Sequence, residues 1–166
     1  RAEVPHYDTG AWSLYDQHGE SDLNYHELLT EFLEHLCSRT KHGPPLEPTP
    51  APRPAAIPGD SIYCTTAARF TGYLTTPPVI SLLTKRLPTS TAAGVAVSLS
   101  KVSTVSITIR HKGAVVWSNS ATVEAGHPRL LWQTPAKGGS FQVTVAAKDL
   151  AGNFSTASGT IAVHRG

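Results

Sequence analysis

The sequence has no methionine, only two cysteines, and no apolar run near the ~20 residues that a membrane-spanning helix needs. No positively charged and then apolar leader opens it either, so neither a helical membrane span nor a signal segment is expected within these residues. Two cysteines, Cys37 and Cys64, are too few for a disulfide scaffold and allow one bridge at most. Charge is sparse: Asp, Glu, Lys and Arg make up 16% of the chain, the formal charge is +2, and no basic cluster stands out along the sequence. A nucleic-acid partner is therefore not expected. The histidines are scattered, without the i,i+4 or cysteine-paired spacing of a zinc site, so no metal and no cofactor is expected. A missing methionine with Arg1 in first place is the pattern of a piece cut from a longer polypeptide.

What is present divides into unlike parts. From His26 to Thr40 the residues Leu28, Leu29, Phe32, Leu33, Leu36 and Cys37 recur at helical spacing and predict an amphipathic helix. Lys41 to Gly59 reads KHGPPLEPTPAPRPAAIPG, where proline removes donors and fixes φ, so an extended connector is expected. Asp60 after Pro58-Gly59 is a good N-cap, and Ile62, Tyr63, Thr66, Phe70 and Tyr73 form a second helical stripe over Ser61 to Gly72. Packed antiparallel, the two helices would bring Cys37 and Cys64 face to face.

Beyond Pro77 the period changes from helical to two. Val95, Val97 and Leu99; Val105, Ile107 and Ile109; Val115 and Trp117; Phe141, Val143 and Val145; and Ile161 and Val163 each read as one face of a half-buried strand. Lys112-Gly113 is a hairpin turn, and Pro135 to Gly139 and Asp149 to Asn153 are further turns. About seven short strands with regular turns predict an antiparallel β-sandwich of immunoglobulin type over residues 78–164.

The segments YDTGAWSLYD, LNYHELLTEFLEHL and YCTTAARFTGYL together resemble the C-terminal region of the D-glucuronyl C5-epimerase family, over roughly residues 5–74. The resemblance rests on a YDTG element followed by YD, then a YH helix start, then a helix of the form F-x-x-T-A-x-R-W-x-x-Y. It implies that residues 1–74 are the end of an (α/α) helical toroid whose remainder lies in a parent catalytic domain. It further implies an isomerase that converts glucuronate to iduronate in a uronic-acid polysaccharide of the heparan sulfate type. Tyr15 and Tyr25 match the family's catalytic tyrosines, and Tyr7, Asp8, Asp16 and His26 become candidate substrate-binding residues. The turn Ala147 to Asn153 resembles the A-x-D-x-A-G-N turn of bacterial immunoglobulin-like modules appended to extracytoplasmic enzymes, which implies a secreted or cell-surface setting.

Chemistry gives two tyrosines a reason. Inversion at C5 removes a proton beside a carboxylate and returns one to the opposite face, so an acid/base group is needed on each side and the two are expected to flank one sugar-sized cleft. The sugar carboxylate also needs a cation or hydroxyl donors. Where the family tends to carry leucine and arginine after YD, this chain has Gln17 and His18, so the obvious carboxylate clamp is missing and only a protonated His18 replaces it. Each residue has a structural alternative: Tyr15 and Tyr25 as boundary aromatics, Asp8 as a turn residue, His26 as a helix-start residue in water. The rival function is an extracytoplasmic carbohydrate-binding or spacer protein built on the sandwich, with Trp117 or Trp132 stacking on a sugar or, more simply, packing in the core.

Overall fold

The computed structural model describes residues 3–42 and 61–165, which fall into two compact units, Arg1–Thr75 and Thr76–Gly166. The expected connector over 43–59 and the Asp60 cap lie outside the described residues.

The first unit contains a short 3-10 turn, Val4–Tyr7, and two helices, α1 (Leu23–His42) and α2 (Ser61–Tyr73). Helix α1 starts three residues before the apolar periodicity does. The Asp22 carboxylate accepts the Tyr25 N–H at 2.8 Å, satisfying an amide that the helix start leaves without a partner, and this cap draws Tyr25 and His26 into the first turn. The helices form an antiparallel hairpin closed at both ends. At one end a disulfide joins Cys37 to Cys64 with Cα atoms 4.7 Å apart; at the other, His26 Nε2–H donates to the Phe70 carbonyl at 3.0 Å. Between them Leu33, Ala67 and Phe70 are buried, with Val4, Leu29, Tyr63 and Tyr73 against them. The apolar stripe of α1 is wider than its partner, and Leu28 and Phe32 stay 63% and 58% exposed.

The second unit is a β-sandwich of eight strands: β1 (Ile80–Leu82), β2 (Arg86–Pro88), β3 (Ala92–Leu99), β4 (Ser103–His111), β5 (Ala114–Val123), β6 (Arg129–Gln133), β7 (Gly139–Asp149) and β8 (Phe154–His164). One sheet runs β1-β3-β6 and the other β2-β8-β7-β4-β5, the immunoglobulin-like arrangement in which the first strand is shared between sheets. The five alternating runs read from the sequence lie in β3, β4, β5, β7 and β8, and those of β3, β4, β7 and β8 meet in one core with Leu130 and Trp132. In β5, an edge strand, Trp117 is only partly buried against that core and Val115 is 55% exposed, contrary to the expected half-buried face. The sandwich is not wholly antiparallel as expected, because β2 pairs parallel with β8. Strands β1 and β2 are three residues each, too short for an alternation signal, and the chain crosses between sheets at Leu83–Lys85 without reversing. The Lys112-Gly113 turn has φ of 49° and 86° at its two residues, the left-handed pair that suits the twist of a two-residue hairpin. Gly159 admits Leu82 of the opposite sheet, whose side chain would lie 2.9 Å from any Cβ there. Among the described residues no helix is long and apolar enough to cross a membrane.

Candidate active site

Residues Tyr7 to Ser21 form two successive turns that carry Tyr7 and Tyr15, while Tyr25 lies in the first turn of α1. Thr9 accepts the Trp12 N–H through Oγ1 at 2.9 Å, and the Leu14 N–H donates to the Tyr7 carbonyl at 2.9 Å, closing the first turn. In the second, the Tyr15 N–H donates to the Gly19 carbonyl at 2.9 Å, and Asp16 Oδ1 accepts the amides of His18 and Gly19 at 2.7 and 2.9 Å. Those amide donors, His18's first, hold the Asp16 carboxyl below its ordinary 3.8. Asp16 is thus a turn-forming residue in this structure.

The tyrosines gather in space. Tyr15 is 61% exposed and meets Tyr25 edge to face with ring centroids 4.8 Å apart. Tyr25 and Tyr7 line one groove of about 390 Å³ together with Leu29, Phe32, Tyr63 and Phe70. The Tyr15 and Tyr25 rings are in edge contact in this structure, with the groove to one side of the pair. The groove beside them is lined chiefly by apolar side chains of the two helices.

Two candidate substrate residues are committed elsewhere. His26 is fully buried, stacked on Trp12 with centroids 3.9 Å apart and planes 11° apart. Its Nε2–H is given to the Phe70 carbonyl, and in the neutral ring Nδ1 receives the Ser13 hydroxyl at 2.8 Å, with the Ser21 hydroxyl 2.5 Å from Ser13 Oγ. It is a cross-link between the loop and both helices rather than a substrate ligand. The Asp8 side chain is 6% exposed and bonds the Gly10 amide at 2.8 Å, the Tyr73 hydroxyl at 2.9 Å and Arg69 Nη2 at 2.8 Å. Burial, and then the hydrogen bond to Asp8, push the Tyr73 phenol up to about 12.

Trp12, Ser13, Ser21 and Arg69 did not emerge from sequence reasoning as site residues. Arg69 had a signal, being the arginine of the T-A-x-R segment, and it keeps half of its side chain exposed beside the loop. The Trp12–His26 stack had none, because only the fold brings positions 14 apart into contact. In the sandwich, Trp132 is 2% exposed and packs edge to face on Phe141 at 5.2 Å, so it cannot stack on a sugar; Trp117 is half-buried and packs against the same core. No group of three or more His, Cys, Asp or Glu side chains suited to a metal is found among the described residues.

No family model matches the chain, and no curated protein is similar to it. Among solved structures, it is similar to an engineered protein from the Northeast Structural Genomics Consortium, at 19% identity and a TM-score of 0.44 over 64% of this chain and 28% of that one. It is also similar to the fibronectin(III)-like modules of Clostridium thermocellum CbhA, at 18% identity and a TM-score of 0.35 over 53% of this chain and 100% of that one. The chain thus spans 28% of the length of the engineered protein, and the assignment of its sandwich rests on its own strand order.

Proposed function

We propose that residues 1–74 are the C-terminal part of a polysaccharide uronic-acid C5-epimerase, the end of an (α/α) toroid, with Tyr15 and Tyr25 as its proton-transfer pair. The observation that carries this reading is the convergence of Tyr7, Tyr15 and Tyr25, widely spaced in sequence, around one exposed site. In the reaction one tyrosine, as phenolate, takes the C5 proton; the electron pair left on carbon spreads into the sugar carboxyl group; the other tyrosine gives its proton to the opposite face. The Tyr15 ring is exposed on a turn that is held by its backbone, so a side-chain rotation suffices to open the contact with Tyr25 for a sugar. Arg69, half exposed in its ion pair with Asp8, is the candidate cation where Gln17 and His18 stand, and a sugar carboxylate would have to share it with Asp8. The apolar groove and the exposed Leu28 and Phe32 are the surface on which earlier helices of a catalytic domain would pack, so the chain by itself is inactive. A setting outside the reducing cytosol fits the Cys37–Cys64 bridge.

The test is incorporation of solvent deuterium at C5 of a glucuronan by the parent polypeptide. Tyr15→Phe and Tyr25→Phe each keep the ring and lose the hydroxyl, and each is expected to lower the exchange rate by ~10²–10⁴. Undiminished exchange in both variants would remove the tyrosines from the mechanism.

A further inference from the structure

The formal charge of +2 is the remainder of two opposite charges. Residues 1–75 hold ten carboxylates against five Lys and Arg, a balance of −5; residues 76–166 hold nine Lys and Arg against two carboxylates, a balance of +7 with histidine neutral. Of those two carboxylates, Asp149 is buried in an ion pair with Lys101 at 2.6 Å, which leaves Glu124 as the exposed one among the described residues of the sandwich. Such an asymmetry between units is the mark of a polyanion partner.

Strand order concentrates this charge. Strand β4 ends in Arg110 and His111, the hairpin to β5 carries Lys112, Lys137 lies just before β7, Arg165 follows β8, and Arg86 of β2 pairs with Ala162 near the end of β8. All five cations are exposed, and all lie at one end of the five-stranded sheet. Glu124 follows Val123, which pairs with Ser103 at the opposite end. The cationic end also holds a cavity of about 280 Å³ lined by His111, Trp132, Gln133, Lys137 and Phe141. His111 stacks on Phe141 at 4.7 Å and donates Nδ1–H to the Ser140 carbonyl at 3.1 Å, which fixes its ring at the cavity wall.

Towards the opposite end, the outer face of the same sheet is paved with hydroxyls. Thr104 and Thr122 meet at 3.0 Å, and Ser106 and Ser120 at 2.9 Å, on adjacent strands. A flat face of hydroxyls suits the hydroxyls of a sugar chain, whereas single-stranded nucleic acid calls for exposed rings on which bases stack. At the cationic end Trp132 and Phe141 are buried, and the exposed Phe154 is paired with Lys148 at the far end.

We propose that the cationic end of the sandwich binds an acidic polysaccharide through its sugar carboxylates, with one acidic sugar seated at the cavity beside Lys137 and His111 and neighbouring carboxylates on Arg110, Lys112 and Arg86. This site is independent of the tyrosine chemistry of the helical unit. The experiment is titration of the whole chain with hyaluronan as the carboxylated probe, dextran as the neutral one and a single-stranded DNA as the competing polyanion. Hyaluronan should bind, and more weakly at about 200 mM than at about 50 mM salt, while dextran should not. The triple variant Arg110→Glu/Lys112→Glu/Lys137→Glu should lose about tenfold or more in affinity, and Lys148→Glu at the far end less than about threefold. The proposal is overturned if hyaluronan fails to bind, if dextran binds equally, or if the triple variant binds as the parent does. It is equally overturned if Lys148→Glu costs as much as the triple, or if the DNA is held more tightly than hyaluronan at the same salt.

Discussion

At the scale of single residues, the buried polar groups of the helical unit decide more than its exposed tyrosines. His26→Ala would leave the Phe70 carbonyl and the Ser13 hydroxyl without their ring partner and open a void under Trp12, an expected loss of ~3 kcal/mol in chemical denaturation. Tyr25→Phe, which keeps the half-buried ring and loses only a hydroxyl, should cost less than ~1 kcal/mol in the same measurement. Tyr73 ties stability to pH in a calculable direction. Its phenol is raised from 10.0 to about 12 in the folded unit, so the folded state holds this proton longer than the unfolded chain does. Its contribution is complete below pH 10 and is lost as pH rises towards 12, so melting temperature should fall over that interval and fall less steeply in Tyr73→Phe. An equal slope in both proteins would separate the alkaline loss from Tyr73.

At the scale of elements, two covalent or ionic ties stand in for core volume. The α1–α2 hairpin buries three apolar side chains completely enough to count as core, so its closure leans on the Cys37–Cys64 bridge across 27 residues. Closing a loop of that length stabilises the folded state by about 3 kcal/mol, and reduction or Cys37→Ser is expected to lower the helical signal in circular dichroism at temperatures where the sandwich persists. In the sandwich, the Asp149 carboxylate accepts Lys101 Nζ, the Asn153 amide at 2.7 Å and Asn153 Nδ2 at 2.9 Å, so that one buried group pins the β7–β8 turn and the segment after β3. Lys101→Met would strand that carboxylate in the core. The expected cost is ~3–5 kcal/mol, read from the midpoint of the sandwich's denaturant transition.

At the scale of the whole molecule, two units of different construction and opposite charge share one chain. Calorimetry should therefore resolve two transitions, the lower one sensitive to reductant and the upper one not; a single transition that moves as a whole on reduction would contradict independent folding. High salt should affect the units in the same sense, since each is relieved of repulsion among its own surplus charges.

Local order was legible in the sequence where a residue's role depends on near neighbours. Period-two alternation marked β3, β4, β5, β7 and β8, the Lys112-Gly113 pair marked a hairpin, and the four-residue recurrence from Leu28 marked α1, because side-chain periodicity is set by backbone geometry alone. The Asp22 cap was not read from the sequence, because the apolar pattern alone begins the helix too late. Long-range pairing decided the rest. Nothing near His26 in sequence says that Trp12 will cover it and Phe70 will take its proton, and three-residue strands cannot announce that β2 runs parallel to β8. The gathering of Arg86, Arg110, Lys112, Lys137 and Arg165 is of the same kind: spread over 80 residues of sequence, they meet at one end of a sheet because hydrogen-bond register between distant strands, and not distance along the chain, fixes which strand ends are neighbours.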